Sequence, residues 1–217
     1  PENVLAIRLP YRSSAQDSLD DAQKVIDATG VQSLTYEITG MVDPLIAAFP
    51  EMSNTRKGNI MARARMIVLY DQSEAFHGLA VGTGNKTEIL LGYTTLYGDS
   101  ACAINPIGDL YKTQVRQLSR ALGVPASILD KAPSADLWSG QTDEGDFGIS
   151  FAHADVILNW LVSGYSAADL VARGFDAEQV ALVRRRVDGT HWKRKLPTVA
   201  MLTQTAIGES YLRPVDY

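Results

Sequence analysis

At 217 residues, with 46% hydrophobic and 21% charged side chains, the chain has the size of one large domain and a soluble globular composition, which excludes a disordered or fibrous protein. A single cysteine, Cys102, excludes a disulfide framework and points to a reducing, cytoplasmic setting; no apolar run approaches the roughly 18 residues needed to cross a bilayer, which excludes a membrane-spanning helix. The net charge of -5 excludes a chain that is basic throughout, and the late cluster of Arg184-Arg185-Arg186 and Lys193-Arg194-Lys195 reads as a solvated surface or a contact for a small anion rather than for nucleic acid.

In chain order, Val4–Ile7 is a short aliphatic run stopped by Pro10 and predicts a strand. Ser14–Ala28 carries Asp17, Asp20 and Asp21 early and apolar residues at Leu19, Ala22, Val25 and Ile26, which is helical spacing with charges suited to a helix N-terminus. Gly30 ends it. A second strand is expected over Ser33–Thr39, a short helix over Met41–Phe49, and a long helix over Lys57–Glu74. Gly78–Val81 predicts a third strand, and Lys86 opens another helix. Strands alternating with helices imply α/β architecture, a parallel sheet with helices on both faces. Beyond Pro106 the pattern becomes helical, with expected helices over Leu110–Leu122, Ala152–Leu161, Ala167–Ala172 and Ala177–Arg186. The stretch Asp130–Phe147 lacks periodicity and is rich in Pro, Gly, Ser and Asp, so a functional loop or lid is expected there.

Four strings carry chemistry. The first runs Gly82-Thr-Gly-Asn-Lys-Thr-Glu88 and on to Asp99. It begins where a strand ends and a helix opens, which is where parallel α/β sheets bind ligands and where backbone N–H groups favour phosphate. It is neither a dinucleotide fingerprint, which needs glycine where Thr87 stands, nor a Walker loop, which needs glycine where Asn85 stands. Glu88, in the first helical turn, is either a capping charge or a magnesium ligand beside phosphates. Thr83 either donates to a phosphate or satisfies its own backbone. In the second string, Arg56, Asn59 and Arg63 share one helix face opposite Ile60, Met61, Ala64 and Ile67; the stripe is a wetted face or an anion contact. In the third, Ala103–Lys112, a cation at a helix start opposes the dipole and invites a phosphate partner. The fourth, Ala132–Glu144, lies in the expected lid.

Together these strings resemble bacterial ammonia-dependent NAD synthetase, a member of the N-type ATP pyrophosphatase group, from about Val4 to Pro197. Arg8-Leu-Pro-Tyr-Arg-Ser-Ser14 fits at the adenine side. The resemblance implies a Rossmann-like fold with a helical C-terminal part, a homodimer, and ATP and magnesium as co-substrate and cofactor. The implied reaction adenylates deamido-NAD and then admits ammonia, releasing AMP, pyrophosphate and NAD. Thr83, Lys112 and Ser134 match positions that touch ATP, Glu88 a magnesium ligand, and Arg63, Asn59 and Lys193 positions at the deamido-NAD substrate. Lys112 and Asp99 are the expected catalytic residues. Leu96 and Ala103 stand where some relatives carry lysine and aspartate. The family's Ser-Gly-Gly-x-Asp-Ser pyrophosphate loop is not in these residues; with its strand it is expected to precede Pro1, leaving one synthetase domain over residues 1–217. A non-catalytic nucleotide sensor, the synthetase part of a glutamine-dependent enzyme and a GMP synthetase domain are the alternatives, and the Lys57–Arg65 string argues against the last.

Overall fold

A two-stranded parallel sheet begins the chain. The computed structural model describes residues 1–138, 140–194, 200 and 202; of the residues singled out above, Ser139, Lys195 and Pro197 lie outside these. Strand β1 (Leu5–Arg8) pairs with β2 (Gln32–Thr35), Ile7 opposite Leu34. Helix α1 (Gln16–Thr29) crosses between them, the connection that parallel strands require. It ends at Gly30, whose φ of 65° is left-handed and whose N–H donates to the Ile26 carbonyl, a helix stop that glycine makes without strain.

Helix α2 spans Thr39–Ala48 and α3 spans Asn54–Ala75. Thus β2 is shorter than the expected strand, because Thr39 already belongs to α2. Helix α3 starts before Lys57 because the Ser53 side chain accepts from the Arg56 N–H and caps it. Tyr11, Ile38, Val42, Met61 and Ala64 bury together at the junction of these elements.

The third expected strand, Gly78–Val81, is corrected. Val81 makes only an isolated parallel bridge to Ile104, and the Ala80 carbonyl accepts from the Ala103 N–H at 2.9 Å. A strand needs a ladder, and among the described residues this one has a partner on one side alone. Leu79 and Val81 stay 67% and 57% exposed.

The remainder is helical: α4 (Lys86–Leu91), α5 (Lys112–Ala121), α6 (Ala126–Leu129), α7 (Asp143–Phe147), α8 (Phe151–Val162), α9 (Ala167–Ala172) and α10 (Ala177–Gly189), followed by a 3-10 turn at His191–Lys193. The expectation of an unstructured Asp130–Phe147 is overturned in its last part. Thr142 accepts from the Gly145 N–H and starts α7, and Phe147 is buried. Its ring meets Tyr93 edge-on at 4.6 Å and Phe151 at 5.2 Å. Leu91, Ile157, Leu158, Leu170, Val180 and Val183 complete this core. Each such burial contributes roughly 1.5–3 kcal/mol, so the helical half is held by its own apolar cluster.

Candidate active site

The turn from Gly82 to Asn85 leads into α4, and close approach explains its first residue. A Cβ on Gly82 would lie 2.6 Å from the Cys102 sulfur, so only glycine lets the backbone pass there. Thr83 is exposed at the tip of this turn. Asn85 then caps α4: its side chain accepts from the Glu88 N–H at 3.0 Å, while Glu88 Oε2 accepts from the Asn85 N–H at 3.0 Å. This reciprocal capping box fixes the Glu88 carboxylate and leaves Oε1 pointing to Lys112, whose Nζ lies 2.9 Å away.

Lys112 opens α5. Its backbone N–H donates to Thr87 Oγ1 at 2.9 Å, and the Thr87 hydroxyl donates to Asp155 Oδ1 at 2.5 Å. The Lys86 N–H also donates to the Leu110 carbonyl at 2.8 Å. The starts of α4 and α5 are therefore tied side by side, their first N–H groups satisfied by Leu110, Asn85, Thr87 and Asp155. Of the two readings left open for Glu88, the capping charge is seen directly, and the second carboxylate oxygen is paired with Lys112.

Asp99 lies on the other side of the turn. Its Oδ1 accepts from the Thr95 N–H at 2.7 Å. Burial pushes its carboxyl above the ordinary aspartate range, and the Glu88 charge adds to this, while the Thr95 hydrogen bond and Lys193 oppose. Gly82, Gly84, Thr94, Asp99, Cys102 and Lys193 line a cavity of about 130 Å³. Lys193 Nζ donates to the Gly92 and Thr94 carbonyls at 2.8 and 2.7 Å; desolvation lowers its pKa and the Asp99 charge opposes that. Cys102 is a half-buried wall of this cavity.

Asn59 and Arg63 reach the same segment from α3. Thr95 Oγ1 donates to Asn59 Oδ1 at 2.8 Å, and Arg63 Nε donates to the Leu96 carbonyl at 3.0 Å. With Leu45, Phe49, Met52 and Arg56 they line a cavity of about 290 Å³. Thus Glu88 and Lys112 touch, Asp99 and Lys193 share a cavity, and Asn59 and Arg63 grip the strip between Thr94 and Asp99. Ser134 stands apart. It is exposed, its Oγ accepts from the Asp136 N–H at 3.0 Å, and among the described residues no hydrogen bond joins it to Glu88 or Lys112.

Two carboxylates escaped the sequence reading. Asp155 is 4% exposed and accepts from Thr87 Oγ1 and from both the N–H and hydroxyl of Thr113. Asp143 is 5% exposed and its Oδ1 has no partner among the described residues. Burial pushes its carboxyl up, which Lys112 counters and Glu88 reinforces. Asp143 sat in the quoted lid string, but the Phe151–Asp155 stretch carries no local signal beyond helical apolar spacing.

Residues 1–197 match the family model described as NAD synthase. The chain is 50% identical over 218 residues to the NH(3)-dependent NAD(+) synthetase of Trichlorobacter lovleyi, covering 100% of this chain and 80% of the relative. Among solved structures it resembles the NMN synthetase of Francisella tularensis, with TM-score 0.79, 31% identity and coverage of 90% of this chain and 78% of that one. It also resembles the NH3-dependent NAD synthetase of Campylobacter jejuni in complex with nitrate, with TM-score 0.76, 31% identity and coverage of 92% and 78%.

Proposed function

The chain belongs to the NAD synthase family, and from that premise we propose that it is a ligase that makes NAD from deamido-NAD (nicotinic acid adenine dinucleotide), ATP and ammonia. A nicotinate carboxylate is a poor electrophile. Its oxygen attacks the α-phosphorus of ATP and pyrophosphate leaves. The acyl adenylate then carries a good leaving group; ammonia attacks the acyl carbon, a C–N bond forms, and AMP departs.

The observation that carries this reading is the Glu88–Lys112 pair, 2.9 Å apart between two helix starts. Lys112, once turned from Glu88 toward the phosphates, stabilises charge on the departing pyrophosphate. Magnesium fits the residues present: the donors are oxygens, Glu88 is held by its capping box, and the orphan Asp143 oxygen adds a second buried carboxylate nearby. Glu88 would hold the ion, which when bound supplies further neutralisation of phosphate charge. Thr83 and Ser134 donate to phosphate oxygens. Arg63, Asn59 and Lys193 hold deamido-NAD. Asp99, whose carboxylate is made the stronger base by its raised pKa, takes the proton that ammonium must lose before attack.

Leu45 of α2, Phe49 just after it, and Ile67 and Tyr70 of α3 are exposed, and these apolar side chains support an isologous homodimer. The open sides of β1 and Val81 support one domain completed by a strand and pyrophosphate loop from outside residues 1–217. The lone thiol supports a reducing cytoplasm. The test is an assay of the full-length protein with ATP, magnesium, ammonia and deamido-NAD. Equal yields of NAD and AMP are expected. Formation of NMN from a mononucleotide acid, with no NAD from the dinucleotide, would overturn the substrate assignment.

A further inference from the structure

A buried carboxylate is costly unless it is fully hydrogen-bonded. Asp155 on α8 meets that condition with three donors: Thr87 Oγ1 at 2.5 Å, the Thr113 N–H at 2.8 Å and Thr113 Oγ1 at 2.7 Å. Among the described residues no cation pairs with it. A carboxylate whose only task was to fasten α8 would be replaceable by an apolar contact, often with a gain in stability.

What it grips points to a different task. Thr87 immediately precedes Glu88, and Thr113 immediately follows Lys112. The Thr87 hydroxyl donates to Asp155 and accepts from the Lys112 N–H, so one carboxylate closes a ring through the first turns of both helices. At the start of α5 the Gln114 side chain accepts from the Tyr111 N–H at 2.8 Å, no acidic residue lies in the first turn, and Lys112 puts a positive charge on the positive end of that helix. Asp155 supplies from α8 the negative charge that this first turn lacks, and the acceptor for its Thr113 N–H. The Glu88 and Lys112 side chains are 2.9 Å apart, and their backbones are set by this ring.

We propose that Asp155 is a positioning residue for the phosphate site, holding the first turns of α4 and α5 at the spacing that lets Glu88 and Lys112 act on one MgATP. This rests on the function proposed above.

The test uses the full-length protein and two variants. Asp155→Asn keeps shape and volume but replaces one acceptor by a donor. Thr113→Ala keeps the carboxylate and removes one of its donors. A misplacement of about 1 Å can cost on the order of 100-fold in rate, so Asp155→Asn should lower kcat by that order. It should weaken MgATP binding, read by calorimetry without the second substrate, at least tenfold, and leave KM for deamido-NAD within about twofold. Thr113→Ala should move the same quantities in the same direction, by less. If both variants lose only melting temperature while kcat per folded molecule and MgATP affinity hold, Asp155 is a structural tie and the proposal fails. If the wild-type protein makes no NAD but Asp155→Asn still loses MgATP binding, the assigned reaction fails and the role of Asp155 stands.

Discussion

Asp99 and Arg63 are the residues on which function and stability divide most clearly. Burial raises the Asp99 pKa in the folded protein, so folding favours its protonated form. Its contribution to stability is therefore full below the ordinary aspartate range and is lost as pH rises through the raised value. Asp99→Asn should accordingly raise the melting temperature at pH 7 to 8, with the gain vanishing as pH falls toward that of the free carboxylic acid. The same change should cut kcat by roughly 100- to 10,000-fold, the usual worth of a general base. Thermal scans across pH that showed no crossover would remove the charge from this account. Arg63 reaches the Leu96 carbonyl from α3, and among the described residues no hydrogen bond or ion pair joins it to Glu88 or Lys112. Arg63→Ala should weaken deamido-NAD binding at least tenfold and ATP binding by less than threefold. Equal losses for both ligands in calorimetry would place Arg63 elsewhere in the scheme.

Elements differ in how far local sequence specifies them. The helices α8 and α10 were legible because apolar spacing and caps are local signals: Ser150 and Asp176 accept from the His153 and Gln179 N–H groups. Helices α6 and α7 were not, since four and five residues cannot display a helical period. The Gly78–Val81 strand failed for another reason: a ladder is a tertiary object, and aliphatic residues alone do not supply a partner. In the site, Glu88 and Lys112 were legible as motif residues, but Asp155 was not, because it acts on Thr87 across 68 residues of chain. The lid belongs at this scale too. Leu137 packs onto Gly58 of α3 and Gln141 is buried, so the segment is anchored at both points. Slowing of hydrogen exchange by ATP with deamido-NAD should therefore concentrate at residues 134–136 and be slight at residues 143–147. Equal exchange at residues 134–136 with and without ligands would leave no closing element there.

The whole molecule raises the question of what residues 1–217 do alone. If α2 and α3 close the proposed homodimer, the full-length protein should sediment at twice its own chain mass at micromolar concentration; a monomer would refute that interface. Catalysis asks for more than the interface. In the function proposed above, Thr83, Glu88, Lys112 and Ser134 supply one side of a phosphate site. In the family pattern the other side is the Ser-Gly-Gly-x-Asp-Ser loop, with its N–H cradle and a further carboxylate, and residues 1–217 do not contain it. Each oriented donor lost commonly costs 100- to 1,000-fold in rate, roughly 3–4 kcal/mol, so several lost together should leave residues 1–217 without measurable turnover. The sheet has open edges: among the described residues β1 pairs only with β2, and Val81 pairs only with Ile104. An added strand beside Val81 would extend that bridge and cover the exposed Leu79 and Val81. Two proteins should be compared for AMP and NAD formation: residues 1–217, and the same chain extended upstream. The extended protein should be active and should melt at a higher temperature, because the strand completes the sheet. Turnover by residues 1–217 would mean that another segment supplies the phosphate cradle. Inactivity of both, with ATP still bound, would turn the molecule from a ligase into a nucleotide sensor.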